Sequence, residues 1–279
     1  MCLLLFAYRA HPRYPLLMAA NRDEFFSRPS APAGYWGETG VVAGRDLQAG
    51  GTWAGVAAGR VAAVTNIREP QVPSPAEPLS RGDIPRDFLL GSTPPDDFAL
   101  QLAAPRYRGF NALLFQLGAQ RELVCAGNRH PAFAFSPGIH GISNGAPDAP
   151  WPKVVRGREQ LAALVGKLAG EIDRDNFVAP ALELLADRRR PPRDALPDTG
   201  VGGELEHALS PIFVHIPPGE LAVPRDGIEA PRDAYGTRAS TLVAVDREGV
   251  TQLWEQNFDE DTGAGPLRHY TLTSPRTSG

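Results

Sequence analysis

The sequence predicts an α+β fold in which antiparallel sheets are covered by helices within one layered domain. Three observations carry that reading. Short apolar runs come in pairs separated by turn residues, the mark of hairpins. Two stretches in the middle of the chain, 153–169 and 175–187, space their apolar residues as helices do. Strand-like runs lie both before and after those helices, which favours one layered unit over two separate ones. The domain is expected to span residues 1–258, followed by a polar tail, 259–279, that is poorly tied down.

The elements follow in order. Leu3–Tyr8 and Leu16–Ala20 are apolar runs around Ala10-His11-Pro12-Arg13-Tyr14-Pro15, a polar stretch whose two prolines mark a turn. With Arg9 pairing near Pro15, partner numbers sum to about 24, which puts Cys2 opposite residue 22 to within a residue or two. Val41–Ala43 is a short strand. Residues 51–57 and 61–66 flank Ala58-Gly59-Arg60 as a hairpin that returns Asn66 to the level of Thr52. Pro70, Pro73, Pro75, Pro78 and Pro85 make 67–85 an extended loop, and a loop of that length is expected to cover a site. Short helices follow around Pro85–Leu90 and Pro95–Ala104, then a hairpin of Phe110–Phe115 with Glu122–Ala126. The run 138–145 is punctuated by glycine, letting backbone approach something closely, and carries Asn144 near its end. After the two longer helices a Pro/Gly-rich connection reaches Ala208, with Val201-Gly202-Gly203 as its most mobile part. Ile212–Ile216 is a strand, and 237–245 with 250–255 close the fold as a hairpin around Arg247-Glu248-Gly249.

Composition removes several function classes. The 279 residues carry a net charge of −4, and no basic block exceeds Arg188-Arg189-Arg190, so nothing resembles a nucleic-acid footprint. Two cysteines do not make a disulfide framework, and Cys125, in an apolar run, reads as a buried inert thiol. The run after Met1 is too short for a signal-peptide core, and no stretch approaches the ~20 apolar residues of a membrane span. A cytoplasmic protein is expected. No residue pattern marks a metal site, and no feature sets an oligomeric state.

The chemistry centres on Cys2. Its small side chain makes Met1 a target for removal, leaving a cysteine that carries its own free α-amine, a requirement that also excludes a leader. Such an amine titrates near ~7.7–8.0 and can exchange a proton with the thiol at neutral pH. A nucleophile with an adjacent base is the pattern of covalent acyl transfer. Asn66 and Asn144 each end a strand-like run, where side-chain amides or backbone N–H groups can face a developing oxyanion, although turn chemistry also suits asparagine there. Asp23 can hold the protonated amine. Arg22 and Arg238 would favour a thiolate.

The blocks Met1-Cys2, Asn21-Arg22-Asp23-Glu24, Gly51-Thr52-Trp53, Thr65-Asn66-Ile67-Arg68, Phe110-Asn111, Gly141-Ile142-Ser143-Asn144, Trp151-Pro152-Lys153-Val154 and Tyr235-Gly236-Thr237-Arg238 together resemble the NRDE-motif family, that of transport and Golgi organisation protein 2. The resemblance spans nearly the whole chain. That family is similar to N-terminal nucleophile hydrolases of the choloylglycine hydrolase and penicillin V acylase branch. The resemblance implies a four-layer αββα sandwich, Cys2 as nucleophile, Asn66 and Asn144 as oxyanion groups, and Arg238 beside the thiol. Two departures stand out. Ala239 occupies a position where the family has serine, and Arg22 and Asp23 are adjacent where the branch separates them by two residues.

The expected activity is hydrolysis of an amide bond in a small acylated molecule. The family resemblance also implies a second class, a non-enzymatic carrier of haem, lipid or acyl-CoA. No cofactor is required, and haem would enter as a bound ligand. The chain has no Cys-x-x-Cys-His motif, and His11, His130, His140, His207, His215 and His269 are scattered. A glutamine amidotransferase is disfavoured because Leu3, not glycine, follows Cys2. Trp53 is a candidate ligand contact, and Val72, Leu79 and Ile84 are expected to give the proline-rich loop an apolar wall suited to acyl chains or a porphyrin.

Overall fold

The structure, a computed structural model, describes residues 2–220 and 233–274, with Cys2 described by its backbone alone. Strands β1 (Cys2–Tyr8) and β2 (Leu16–Phe25) form the first hairpin, closed by the Arg9 N–H donating to the Pro15 carbonyl at 2.8 Å. Cys2 stands opposite Arg22, Leu3 opposite Asn21 and Tyr8 opposite Leu16, so the register is the one read from the turn.

The chain then builds a second antiparallel sheet in sequential order. Its strands are β3 (Ser30–Tyr35), β4 (Val42–Asp46), β5 (Ala54–Ala57) and β6 (Arg60–Asn66), then β7 (Phe110–Gln116), β8 (Leu123–Gly127) and β9 (Phe133–Ala134). Ala57 pairs with Arg60 across a two-residue turn, where Gly59 at φ +70° supplies the backbone shape a tight hairpin needs. Between β6 and β7 lie helices α1 (Asp83–Leu90) and α2 (Pro95–Gln101). The loop after Asn66 therefore ends before Pro85, which sits in the first turn of α1, where a missing N–H does no harm.

Strand β10 (Gly138–Ile142) returns to the first sheet beside β1, with Gly141 opposite Leu5. Helix α3 (Pro152–Val165) follows. A π-helical turn at Arg174–Val178 leads into α4 (Ala179–Leu185), where the sequence predicted one continuous helix. The polar connection beyond it contains a short helix, α5 (Gly203–Ala208), that the sequence did not announce. Strands β11 (His215–Ile216), β12 (Tyr235–Val245), β13 (Val250–Asp259) and β14 (Gly263–Thr273) complete the first sheet. Its order is β10-β1-β2-β12-β13-β14, with β11 on the start of β12. The stretch expected to be poorly tied down after Phe258 is thus largely a strand paired with β13. Its outward residues are polar because it is an edge, protected by Pro266 and Arg268, and that polarity hid it in the sequence.

Side-chain alternation along β1 shows how the layers stack. Leu4, Phe6 and Tyr8 join Met18, Val243, Val56, Val61, Leu113 and Phe115 in a core between the two sheets. Leu3, Leu5 and Ala7 pack instead with Val154 and Leu161 of α3 and Leu184 and Leu185 of α4. The outer face of the second sheet, with Ala62, Val64 and Leu114, lies under Ile84, Phe88 and Leu89 of α1. Both faces of β1 are buried, which explains why its sequence is an unbroken apolar run. No helix among the described residues is long and apolar enough to cross a membrane.

Candidate functional site

A cleft of about 570 Å³ opens where β2 and β6 end, and Arg22, Asp23, Trp53, Asn66, Leu79 and Tyr235 are among its lining residues. The first hairpin delivers Arg22 and Asp23, and Cys2 is placed opposite Arg22 by strand register. Met1 and the Cys2 side chain lie outside the described residues, so the removal of Met1 and the thiol's contacts are not part of this geometry.

Arg22 is buried, with its guanidinium carbon 4.4 Å from the centroid of the Trp53 ring. Its Nη2 lies 3.8 Å from Glu24 and 3.9 Å from Asp46, while Arg28 meets Asp46 at 2.7 Å. Burial works to raise the Asp46 carboxyl, but hydrogen bonds from Arg28 and the Ala49 N–H outweigh it and hold the group below its ordinary range. Two buried donors here, Arg22 Nη1 and Trp53 Nε1, have no hydrogen-bond partner among the described residues.

Asp23 faces the helical side of the sheet. Thr237 Oγ donates to its Oδ1 at 2.7 Å, and the Tyr235 hydroxyl donates to its carbonyl at 3.2 Å. Complete burial pushes its carboxyl above the ordinary range, against the pull of Lys153, the Thr237 hydroxyl and Arg68.

The two asparagines meet. Asn144 Nδ2 donates to the Asn66 carbonyl at 2.9 Å, and the Arg68 N–H donates to the Asn144 carbonyl at 2.8 Å. Asn111 adds a further tie, its Nδ2 donating to the Gly145 carbonyl at 2.9 Å. Asn66 reaches the cleft, whereas Asn144 is fully buried and joins the first sheet to the end of β6. Arg238 sits at the irregularity where β12 shifts register against β2, between Thr237 and Ala239. Its Nη1 donates to the carbonyls of Phe25, Phe26 and Arg28 at 2.8, 3.0 and 3.2 Å. It fastens the turn after β2 and does not line the cleft.

Of the apolar wall expected along the loop, Leu79 alone lines the cleft. Val72 is 46% exposed and lies outside it, turned outward beside Glu69, which Arg129 holds at 2.6 Å. Ile84 belongs to α1 and is buried against the outer face of the second sheet. The cleft is correspondingly polar: Arg22, Arg28, Arg81 and Arg108 bring four guanidiniums, and Asp23, Glu24 and Asp46 three carboxylates. That lining does not suit an acyl chain or the face of a porphyrin.

Sequence reasoning assigned no role to the buried charges behind the cleft. Lys153 is 2% exposed, Arg68 forms a buried ion pair with Glu206, and Arg68 lies over the Trp151 ring. Arg68 and Lys153 belong to two of the quoted blocks, so a signal was present; Glu206 belongs to none. Cys125 is the inert thiol expected, fully buried with its acidity suppressed by burial. Among the described residues there is no cluster of three His, Cys, Asp or Glu side chains that could hold a metal ion, and no histidine lines the cleft.

With three carboxylates, the Asn66 amide and four guanidiniums around one opening, the arrangement can stabilise charge on a reacting or bound group. The family model described as Transport and Golgi organisation 2 matches residues 1–260. The chain is 30% identical to the Transport and Golgi organization protein 2 homolog of Bos taurus, over 98% of each chain. It is 29% identical to the Homo sapiens homolog, over 98% of this chain and 99% of that one. It is 28% identical to Transport and Golgi organization protein 2 of Drosophila melanogaster, over 98% of this chain and 96% of that one.

Proposed function

The chain belongs to the Transport and Golgi organisation 2 family, and from that premise we propose that it is an N-terminal nucleophile hydrolase acting through Cys2 on the amide bond of a small acylated molecule. The observation that supports this reading is the register of the first hairpin, which pairs the Cys2 backbone with Arg22, a residue that lines the cleft together with Asp23. The stacking of helices, sheet, sheet and helices supports an αββα sandwich of that class. In the proposed reaction the Cys2 sulfur attacks the acyl carbon while the α-amine takes the thiol proton. The amine then gives that proton to the departing nitrogen, and water hydrolyses the resulting thioester. Asp23 holds the protonated amine, and Asn66 faces the oxyanion, held in place by the Asn144 amide on its backbone carbonyl. Arg238 acts at one remove, by holding the turn that carries Arg28. A cytoplasmic setting keeps the thiol reduced.

The four guanidiniums favour a second reading, a carrier that grips an anionic group such as a haem propionate or a coenzyme A phosphate. One set of measurements separates the two. Intact mass should show loss of Met1, iodoacetamide should label Cys2 much faster than Cys125 at neutral pH, and Cys2→Ala should abolish amide turnover without unfolding the chain. Under the carrier reading, haemin and palmitoyl-coenzyme A bind Cys2→Ala as well as wild type. A retained Met1 in mature protein overturns the hydrolase.

A further inference from the structure

Lys153 is one of only two lysines in the chain; the other basic residues among its 28 Lys and Arg are arginines. It is 2% exposed, near the start of α3, and its Nζ donates to the Leu209 carbonyl at 3.1 Å. A lysine so deeply buried is rare unless it is paired. Elsewhere the fold buries Arg22, Arg60 and the side chain of Arg68, so a compact ammonium at 153 is a departure from its habit.

Packing shows what the ammonium faces. A Cβ at Gly157 would come within 2.6 Å of Leu5 Cδ1, so α3 lies directly on β1. Lys153 is one helical turn earlier on the same face, and is carried toward one end of that strand. Leu209, whose carbonyl accepts the hydrogen bond from Lys153, packs with Phe25 and Tyr235, and the Tyr235 hydroxyl in turn donates to the Asp23 carbonyl. The end in question is therefore the start of β1, where Asp23 lies buried on the same side of the sheet. Lys153 is the charge that acts most strongly on the Asp23 carboxyl. Arg68, paired with Glu206, and Tyr235 are among the other titratable groups around the two, as is the chain's amino terminus.

We propose that Lys153 is a positioning residue that acts through Asp23: its buried ammonium keeps Asp23 a carboxylate, and that carboxylate orients the α-amine of Cys2. The proposal rests on Cys2 being the nucleophile. It differs from a merely structural role, in which Lys153 only caps the carbonyl that follows α5.

The test needs no substrate. Iodoacetamide labelling of Cys2 is followed between about pH 5 and 9, with Cys125 as internal control, in wild type, Lys153→Met, Asp23→Asn and the double variant. Losing the Asp23 charge weakens the ammonium beside the thiol, so each single variant should move the labelling midpoint up by about one pH unit or more. The double variant should move it no further than Asp23→Asn alone. An unshifted profile in Lys153→Met, or additive shifts, would overturn the proposal. Should Lys153→Met not fold, ¹³C-lysine spectra of Asp23→Asn give the answer, because the chain has two lysines to resolve. The Lys153 ε-carbon should then titrate about one unit or more lower, with Lys167 unmoved; an unchanged Lys153 titration overturns the proposal. Wild-type Cys2 that labels no faster than Cys125, or a retained Met1, brings down the nucleophile and this proposal with it. A fast Cys2 with no Lys153 dependence brings down this proposal alone.

Discussion

Glu206 shows how much one buried side chain can hold at this site. Its Oε2 meets Arg68, and its Oε1 accepts from the Thr199 N–H at 2.8 Å and the Thr199 hydroxyl at 2.6 Å. Side-chain exposure is 6% for Arg68 and 3% for Glu206, so neither charge has water to fall back on. The attraction in such a pair is largely offset by the desolvation of both ions, but removing one partner leaves the other uncompensated, at about 3–5 kcal/mol. Glu206→Gln should therefore lower the unfolding free energy by roughly 3 kcal/mol in urea titrations. Arg68→Met combined with Glu206→Leu should recover a large part of that loss, because both charges then leave together. Recovery would separate the pair's fold-holding role from the backbone bond by which Arg68 positions Asn144.

The connection from β10 to α3 carries Asn144, and its shape depends on a histidine. His140 stacks near Phe6 and Phe135, with Nδ1 2.7 Å from Asp148 Oδ2 and Nε2 2.9 Å from the Ser136 carbonyl. Both nitrogens face acceptors, which the doubly protonated ring satisfies. Burial opposes that charge, but the bonds to Asp148 and Ser136 outweigh it and raise the pKa above its ordinary 6.5. Asp148, which also accepts from the Gly141 N–H and lies 3.5 Å from Arg158, is held below the usual carboxylate range: burial raises it, and the bonds from His140 and Gly141 with the charges of His140 and Arg158 together outweigh that. The stabilisation from His140 is thus full below about 6.5 and is lost as pH rises through the raised value; it is lost again in acid as Asp148 protonates. The melting temperature of wild type should exceed that of His140→Gln most clearly around pH 6, with the gap closing as pH rises through the raised His140 value. A constant gap would mean that the ring is held by packing alone. Much of this element was legible in the sequence, since its glycines and Asn144 mark a close backbone approach. The first hairpin was legible down to its register because two prolines leave the turn one closure. Glu206 was not, because α5 is too short for a periodic pattern, and the cleft's polarity was not, because tertiary packing decides whether Val72, Leu79 or Ile84 faces the opening.

At the scale of the whole molecule, Ala33 is one of the residues that pin the two sheets together. The β3–β4 pairing is irregular between Ala31 and Gly34, which frees both backbone groups of Ala33 from that ladder. Its N–H donates to Glu255 of β13 at 2.6 Å, and its carbonyl accepts from the Tyr270 hydroxyl of β14 at 2.8 Å. Glu255 is fully buried, and its carboxyl is pushed up by burial despite bonds from the Ala33 N–H, Asn257 and Thr241. Tyr270 and Leu272 pack against the core between the sheets, and His269 stacks on Trp254 at 4.7 Å. The C-terminal strand is therefore the clasp of the sandwich, and its polar sequence disguises that role. Tyr270→Phe should cost about 1 kcal/mol, since it leaves a buried carbonyl without its donor. Ending the chain after Asp261 should cost more, at least about 3 kcal/mol, because it uncovers the edge of β13 and the two side chains that close the core. Urea unfolding measures both, and dye binding to exposed apolar surface should rise in the truncated form alone. A truncated chain that unfolds at the wild-type midpoint would make β14 an appendage, and the joining of the two sheets would then rest on Glu255 and the core between them.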